Sequence, residues 1–197
     1  MSAPPRHKLI VLEGVDGAGT TTQGQRLAAR FDLHLTREPS DRAIGKLLRS
    51  ILRHEQGAVD ERAVALLFAA DRLDHLEGEI APLLATRSVL SDRYLLSSIV
   101  YQSQGVDRQF VALINQFARP ADLTLLLDVD AAVAERRRAA RGGPAERYDD
   151  RALQERLAAA YRQEARTAGA VIVDGNGSAD EVFAQLEPLV QSCLARP

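Results

Sequence analysis

Five short runs of apolar residues alternate along this chain with segments in which apolar residues recur at helical spacing. The runs are apolar throughout and lack the alternation of half-exposed strands, so we interpret them as buried parallel strands. Strands and helices that alternate in this way predict an α/β fold, a doubly wound sandwich around a five-stranded parallel sheet. The predicted strands are LIVLE (9–13), LHL (33–35), SVLS (88–91), LTLLLDV (123–129) and AVIVD (170–174).

The segments between these strands carry the predicted helices. The segment at 61–84 is rich in Ala, Leu and Phe, which indicates a long and well-packed helix. No linker, repeat or low-complexity tract interrupts the sequence, so we expect a single domain over residues 1–197. The predicted helices are 20–30, 43–53, 61–84, 107–117, 131–141, 150–168 and 179–194.

Composition excludes several classes of protein. A net charge of −2 gives no sign of a wide nucleic-acid surface, and a single cysteine, Cys193, cannot support a disulfide framework. No apolar stretch approaches the roughly 20 residues needed to span a bilayer, and the N-terminus lacks the apolar core of a signal peptide. We therefore expect a cytoplasmic enzyme or switch protein with neither a membrane nor a nucleic-acid polymer as its partner.

A glycine-rich stretch, GVDGAGTT (14–21), follows the first predicted strand. It matches the phosphate-binding pattern G-x-x-x-x-G-K-[ST] at Gly14, Gly19 and Thr21, whereas Thr20 stands in the lysine position. Glycines leave backbone N–H groups free to face an anion, and the helix that follows adds the positive end of its dipole. Thr21 is placed to ligate Mg²⁺. The stretch predicts a nucleoside triphosphate site whose usual positive charge is missing.

Two charged pairs follow predicted strands at the edge of the sheet where ligands bind in this fold class. Arg37 and Glu38 belong to TREP (36–39), although a solvated ion pair would have the same sequence. Asp92 ends the third strand, where an acidic residue can organise Mg²⁺, and Arg93 beside it suits a bidentate phosphate contact. The alternative for this second pair is a capping aspartate beside a surface arginine.

An aromatic residue and an arginine share one face of the long helix. Phe68 and Arg72 are four residues apart, so a ring could stack on a base while the guanidinium binds its edge or a phosphate. The alternative is a core phenylalanine beside a surface arginine. Another polar cluster follows Arg93 and consists of Ser97, Ser98, Tyr101 and Gln102.

A run of arginines at about 136–148 surrounds the interruption RGGPAER (141–147). Charge runs are usually solvated faces. A glycine-proline hinge among arginines equally fits a lid that closes on polyphosphate. The residues alone leave these two interpretations open.

The motifs EGVDGAG, TREP, LLFAADR, LSDRYLLSSIVYQ and ERYD, taken in this order and at this spacing, resemble those of the thymidylate kinases in the nucleoside monophosphate kinase group. The match runs from about Lys8 to the C-terminal helix. The resemblance implies a P-loop kinase fold and the reaction ATP + dTMP → ADP + dTDP with Mg²⁺. It also implies a homodimer, for which the helix at 61–84 is the candidate interface.

The resemblance further implies roles for individual residues. Phe68 would stack on thymine and Arg72 would bind its edge, while Tyr101 would press against the deoxyribose. Arg93 would grip the acceptor phosphate. Several other residues would complete the two substrate sites: the ATP loop of Gly14, Val15, Asp16, Gly17, Ala18, Gly19, Thr20 and Thr21; Asp16 near the 3′-hydroxyl; Arg37 and Glu38 at the transfer region; Ser98 and Gln102 in the base pocket; and Thr21 and Asp92 at Mg²⁺.

The lysine missing at Thr20 leaves three hypotheses open. In the first, Arg137, Arg141 and Arg147 of the lid supply the charge and the enzyme is active. In the second, the chain is a nucleotide-binding regulatory homologue that has lost catalysis. In the third, it is a P-loop kinase for another acceptor, such as dUMP or a deoxynucleoside. An acceptor-phosphate clamp of Arg37, Arg72 and Arg93 argues against the deoxynucleoside.

Overall fold

The computed structural model describes residues 7–141 and 151–196, and five strands within them form one parallel sheet. The strands lie in the order β2-β3-β1-β4-β5, so the chain starts at the centre of the sheet and winds outward on both sides. This order confirms the predicted doubly wound α/β fold. The strands are β1 (Leu9–Glu13), β2 (His34–Arg37), β3 (Val89–Asp92), β4 (Leu123–Asp128) and β5 (Val171–Asp174).

All seven predicted helices are present in the described residues, with ends that shift by a few positions. Ser178 caps the last of them: its hydroxyl accepts from the N–H of Glu181, whose carboxylate accepts from the N–H of Ser178. The helices are α1 (Thr20–Phe31), α2 (Ala43–Leu52), α3 (Glu61–His75), α4 (Ala81–Leu84), α5 (Leu95–Gln102), α6 (Arg108–Ile114), α7 (Ala131–Arg141), α8 (Arg151–Thr167) and α9 (Ala179–Ala195). None of the described helices is both long enough and apolar enough to cross a membrane.

A π-helical turn, Leu76–Ile80, divides the helix predicted at 61–84 into α3 and α4. The N–H of Ala81 bonds to the carbonyl of Leu76, five residues back. Pro82 comes next, and its ring has no N–H for the α-helical bond to the residue four positions back. The wider turn thus comes directly before the proline that cannot continue the regular pattern.

Helix α5 was not predicted, because LLSSIVYQ has no capping residue of its own at its start. The carboxylate of Glu13, at the end of β1, accepts from the N–H groups of Tyr94 and Ser97, at 3.0 and 3.2 Å. A helix whose first amides are satisfied from another strand has no local sequence signal for its beginning. This cap also fixes α5 against the centre of the sheet.

The prediction that all five strands are buried throughout is confirmed for β1 and β3, whereas β2, β4 and β5 are buried only in part. Val171 and Ile172 of β5 are each 37% exposed. β5 lies at an edge of the sheet and pairs with a neighbour on one side alone. The core therefore surrounds β1, β3 and β4.

Candidate active site

The glycine-rich stretch forms the loop between β1 and α1, at the carboxyl edge of the sheet. Gly19 begins α1 in a left-handed conformation, and no described side chain caps the first amides of this helix. The first turn contains no acidic residue either. A helix start with uncapped amides and no negative charge can bind an anion such as a phosphate. The side chain of Thr20 is buried against the loop, with its methyl group near Gly14.

The two residues predicted to hold a metal lie in direct contact. The hydroxyl of Thr21 donates to Oδ2 of Asp92 over 2.6 Å. Oδ1 of Asp92 is buried and has no hydrogen-bond partner among the described residues. No group of three or more His, Cys, Asp or Glu residues that could hold a metal ion lies in the described part of the chain. This pair fits Mg²⁺, which is usually bound by one or two protein oxygens together with phosphates and waters.

Arg93 joins the glycine loop to the pocket beside it. Its guanidinium donates to the carbonyl of Gly14 at 2.7 Å and to the carboxylate of Asp16 at 2.5 Å. Burial opposes the charge, but the nearby tyrosines and the carboxylates of Asp16 and Asp92 outweigh it, so the pKa of Arg93 is raised well above its usual value. Arg93 therefore remains a cation between the glycine loop and the pocket beside it.

A cavity of about 130 Å³ opens beside this arginine. All eight residues predicted to bind the acceptor nucleotide line it, although they come from five separate places in the sequence. They are Asp16, Glu38, Phe68, Arg72, Arg93, Ser98, Tyr101 and Gln102. Pro39, Leu52, Tyr94 and Ser97 complete the lining.

Arg72 is 1% exposed and is held by groups from several elements, so it is not a surface arginine. One guanidinium nitrogen donates to Glu38 at 2.7 Å, to Ser98 at 2.9 Å and to the carbonyl of Tyr94 at 3.0 Å. The other terminal nitrogen donates to Asn115 at the end of α6. Nε has no hydrogen-bond partner among the described residues. The guanidinium is therefore fixed in place at the wall of the cavity.

The far side of the cavity is aromatic and polar. The ring of Tyr101 meets Tyr161 edge-on, with centroids 6.0 Å apart, and the Arg93 guanidinium lies 5.3 Å from the Tyr101 centroid. Burial raises the pKa of Tyr101, so its phenol stays neutral. Oε1 of Gln102 is buried with no hydrogen-bond partner in the described chain.

Arg37 does not reach this cavity. Its side chain is 57% exposed and pairs with Asp41 at 2.8 Å. It does lie opposite Asp92 in the pairing of β2 with β3, at the same edge of the sheet. Its predicted role in catalysis stays a prediction.

The arginines of α7 contact the glycine loop directly. Arg137 donates to the carbonyls of Ala18 at 3.2 Å and Gly177 at 2.7 Å, and Arg138 donates to the carbonyl of Asp16 at 2.6 Å. The side chain of Arg141, the predicted lid segment beyond it and Arg147 lie outside the described residues.

Sequence reasoning missed Glu13, Asn115 and Tyr161. Glu13 is an acidic residue at the end of an apolar strand, the same signal that identified Asp92. Asn115 and Tyr161 carry no comparable signal, because each is a single polar residue in or beside a helix. Their contacts with Arg72 and Arg93 are visible in the tertiary structure alone.

Comparisons with known proteins agree with this geometry. A family model described as thymidylate kinase matches residues 12–186. The chain is 38% identical over 185 residues to a probable thymidylate kinase of Pyrobaculum aerophilum, covering 92% of this chain and 95% of that one. A probable thymidylate kinase of Pyrococcus abyssi is 36% identical over 198 residues, covering 94% and 97% of the two chains. The solved structure of thymidylate kinase from Candida albicans superposes with a TM-score of 0.81 at 26% identity, covering 96% of this chain and 93% of that one.

Proposed function

The chain belongs to the thymidylate kinase family, and we infer that it transfers the γ-phosphoryl group of ATP to dTMP, giving ADP and dTDP. One observation carries this inference beyond the family. The eight residues predicted to bind dTMP line a single cavity, and Arg93 connects that cavity to the glycine loop. An acceptor and a donor site that share an arginine suit in-line transfer between two phosphates.

The base of dTMP lies between Phe68 and the polar wall of the cavity. Phe68 stacks on thymine, and Arg72, which lines the same cavity, binds the edge of the base. Ser98 and Gln102 complete the base contacts.

Tyr101 packs against the deoxyribose and disfavours a 2′-hydroxyl. Asp16 contacts the region of the 3′-hydroxyl, and Arg93 binds the phosphate. Glu38 holds Arg72 through their 2.7 Å ion pair.

ATP binds with its phosphates over the uncapped amides of the glycine loop. Thr20 brings no charge to this loop, so the compensating cations come from the arginine-rich segment, with Arg137, Arg141 and Arg147 as candidates. Of these, Arg137 already reaches the carbonyl of Ala18 in the loop. Arg37 lies at the same edge of the sheet and is a further candidate to act during transfer.

Thr21 and Asp92 are the residues that would hold Mg²⁺, because Oδ1 of Asp92 is buried without a hydrogen-bond partner in the described chain. When bound, the ion neutralises phosphate charge and orients the phosphates. Thr21 and Asp92 hold each other in place through their 2.6 Å hydrogen bond.

The protein's part in the reaction is alignment and charge neutralisation. A phosphate oxygen of dTMP attacks the γ-phosphorus, the bond to the β–γ bridging oxygen breaks, and ADP leaves with that oxygen. This acceptor oxygen is already anionic, so the step needs no general base. The groups that this function assigns to the phosphates are accordingly Arg93 and the amides of the glycine loop. We also propose a cytoplasmic homodimer.

A coupled assay for ADP release tests this function directly. The purified chain, ATP and Mg²⁺ are combined in turn with dTMP, dUMP, thymidine and UMP. We expect turnover to be fastest with dTMP and to be lost on addition of EDTA. A protein that binds ATP and dTMP without turnover would be a regulatory homologue, and preferential use of another acceptor would overturn the assignment of dTMP.

A further inference from the structure

We propose that Tyr161 of α8 is a positioning residue for the acceptor phosphate, which it serves by fixing the Arg93 guanidinium through its hydroxyl. The inference rests on the proposed function, in which Arg93 binds that phosphate. Tyr161 is 1% exposed and does not line the dTMP cavity. Its effect on the substrate must therefore pass through other residues.

The hydroxyl of Tyr161 lies at the meeting point of three polar side chains. It is 3.2 Å from a terminal nitrogen of Arg93, 2.8 Å from the hydroxyl of Ser97 and 3.4 Å from Oε2 of Glu13. The Ser97 hydroxyl in turn donates to Oε2 of Glu13 over 2.5 Å. A buried tyrosine hydroxyl usually finds one partner, whereas this one is within reach of three.

The hydrogen bonds among these four side chains can form a single chain in which each donor faces the next acceptor. Arg93 donates to the Tyr161 oxygen, Tyr161 donates to Ser97, and Ser97 donates to the Glu13 carboxylate. Such a chain connects the buried acidic side chain of β1 to the cation at the cavity through two neutral hydroxyls. Hydrogen bonds in a chain of this kind polarise one another, so the loss of one weakens its neighbours.

The backbone of Arg93 has an unfavourable conformation, which the hydrogen bonds of its side chain help to maintain. Its φ is +72°, in the left-handed region that non-glycine residues rarely adopt. Strained conformations persist where the surrounding structure over-determines them. The carbonyl of Gly14 and the carboxylate of Asp16 fix the guanidinium from the loop side, and Tyr161 fixes it from the opposite helix.

Tyr161→Phe tests the inference because it removes the hydroxyl and keeps the ring that packs against Tyr101. The dissociation constants of dTMP and thymidine are measured by calorimetry on the wild type and the variant. The loss of a hydrogen bond to a charged group should weaken dTMP binding by roughly 10- to 150-fold. Thymidine has no phosphate for Arg93, so its binding should not change.

Ser97→Ala is the second variant, because the Ser97 hydroxyl contacts both Tyr161 at 2.8 Å and Arg93 at 3.4 Å. Its dTMP binding should weaken in the same sense. Glu164→Gln is the matched control on α8: Glu164 bonds to Arg108, away from Arg93, so dTMP and thymidine should bind as in wild type.

Equal weakening of dTMP and thymidine binding in Tyr161→Phe would show a packing role and overturn the inference, as would unchanged dTMP binding in this variant. Wild-type turnover of dTMP together with unchanged Tyr161→Phe binding would overturn the inference while leaving the proposed function standing. A wild-type protein that bound neither dTMP nor thymidine would overturn both the inference and the proposed function.

Discussion

Some residues of this site both hold neighbouring side chains and line the nucleotide cavity, and Arg72 is an example. Its guanidinium holds Glu38, Ser98 and Asn115 together and still lines the nucleotide cavity. Substituting such a residue would leave buried partners unpaired, and structural damage would be confused with lost binding. Informative substitutions at this scale therefore change residues whose loss leaves no polar group unsatisfied.

Phe68 meets that condition, because its ring is apolar and lines the cavity from α3. Phe68→Ala should weaken dTMP binding by roughly 5- to 150-fold, since stacking on a base is worth about 1–3 kcal/mol. ATP binding should be unaffected. Calorimetry with each nucleotide measures both effects.

Phe117→Ala provides the control for this substitution, because Phe117 is 73% exposed and does not line the cavity. Its dTMP affinity should equal that of the wild type. Unchanged dTMP affinity in folded Phe68→Ala protein would refute the stacking role.

Thr20 offers a second test at this scale, since it occupies the position of the usual loop lysine. If Arg141 supplies the missing charge, Arg141→Ala should lower kcat far more than it weakens ATP binding. A transition-state arginine in other phosphoryl-transfer enzymes is worth about 10³–10⁵ in rate. Thr20→Lys should then partly restore the kcat of Arg141→Ala.

The measurement is a double-mutant cycle on kcat, in which two residues that share one task are non-additive. Thr20→Ser is the matched control, because it keeps the hydroxyl and adds no charge, so it should restore nothing. Strictly additive effects of Thr20→Lys and Arg141→Ala would show that the two positions do not share the task.

At the scale of elements, the glycine loop and α7 are closely packed and joined by hydrogen bonds. Gly17 has a φ of +85°, and a Cβ atom placed there would lie 2.4 Å from the carbonyl oxygen of Ala134 in α7. Arg137 and Arg138 add hydrogen bonds from the same helix to carbonyls of the loop. A displacement of α7 would therefore change the position of the loop amides proposed to bind phosphate.

Gly17→Ala should destabilise the protein and weaken ATP binding together. The left-handed conformation alone costs about 1–2 kcal/mol for alanine, and the clash with Ala134 adds to this. At roughly 2–4 °C per kcal/mol for a chain of this size, Tm should fall by several degrees. Thermal melts and ATP titrations measure the two effects.

Gly169→Ala is the control, because Gly169 has a φ of +68° but no atom within 4 Å of the Cβ position. It should show the backbone cost without the clash, so its Tm should fall less and its ATP affinity should not change. Equal effects of the two substitutions would argue against close packing of α7 on the loop.

At the scale of the whole molecule, α3 connects the nucleotide pocket to the surface. One part of this helix supplies Phe68 and Arg72 to the cavity. Leu66 and Leu73, seven residues apart on the same helix, are 48% and 38% exposed. An exposed apolar face on the helix that forms the pocket fits the proposed dimer interface.

Leu66→Glu combined with Leu73→Glu should convert the proposed homodimer to a monomer, because buried like charges oppose association. Light scattering should give twice the 21.5 kDa chain mass for the wild type and the single chain mass for the variant. Ile172→Glu on β5 introduces the same charge at an edge of the sheet and should leave the dimer intact. A wild-type monomer would contradict the proposed assembly.

The five strands, most of the helices and eight residues that line the cavity could be predicted from the sequence. Buried strands are short apolar runs, and the carboxyl ends of parallel strands meet at one edge, so Asp92 and the glycine loop had to lie together there. The sequence also singled out Phe68, Arg72, Ser98, Tyr101 and Gln102, the family resemblance implied their roles, and all of them line the same cavity. The thymidylate kinase family assignment is confirmed.

The tertiary structure alone decided which side chains hold the site residues in place. Glu13 and Tyr161 are 148 positions apart in the chain, yet both act on Ser97 and Arg93. A local sequence pattern indicates which face of an element is buried. It does not indicate which polar group of another element will form a hydrogen bond with a polar side chain on that face. That choice depends on how α5 and α8 pack on β1, which is why the start of α5, the burial of Arg72 and the role of Tyr161 emerged only in three dimensions.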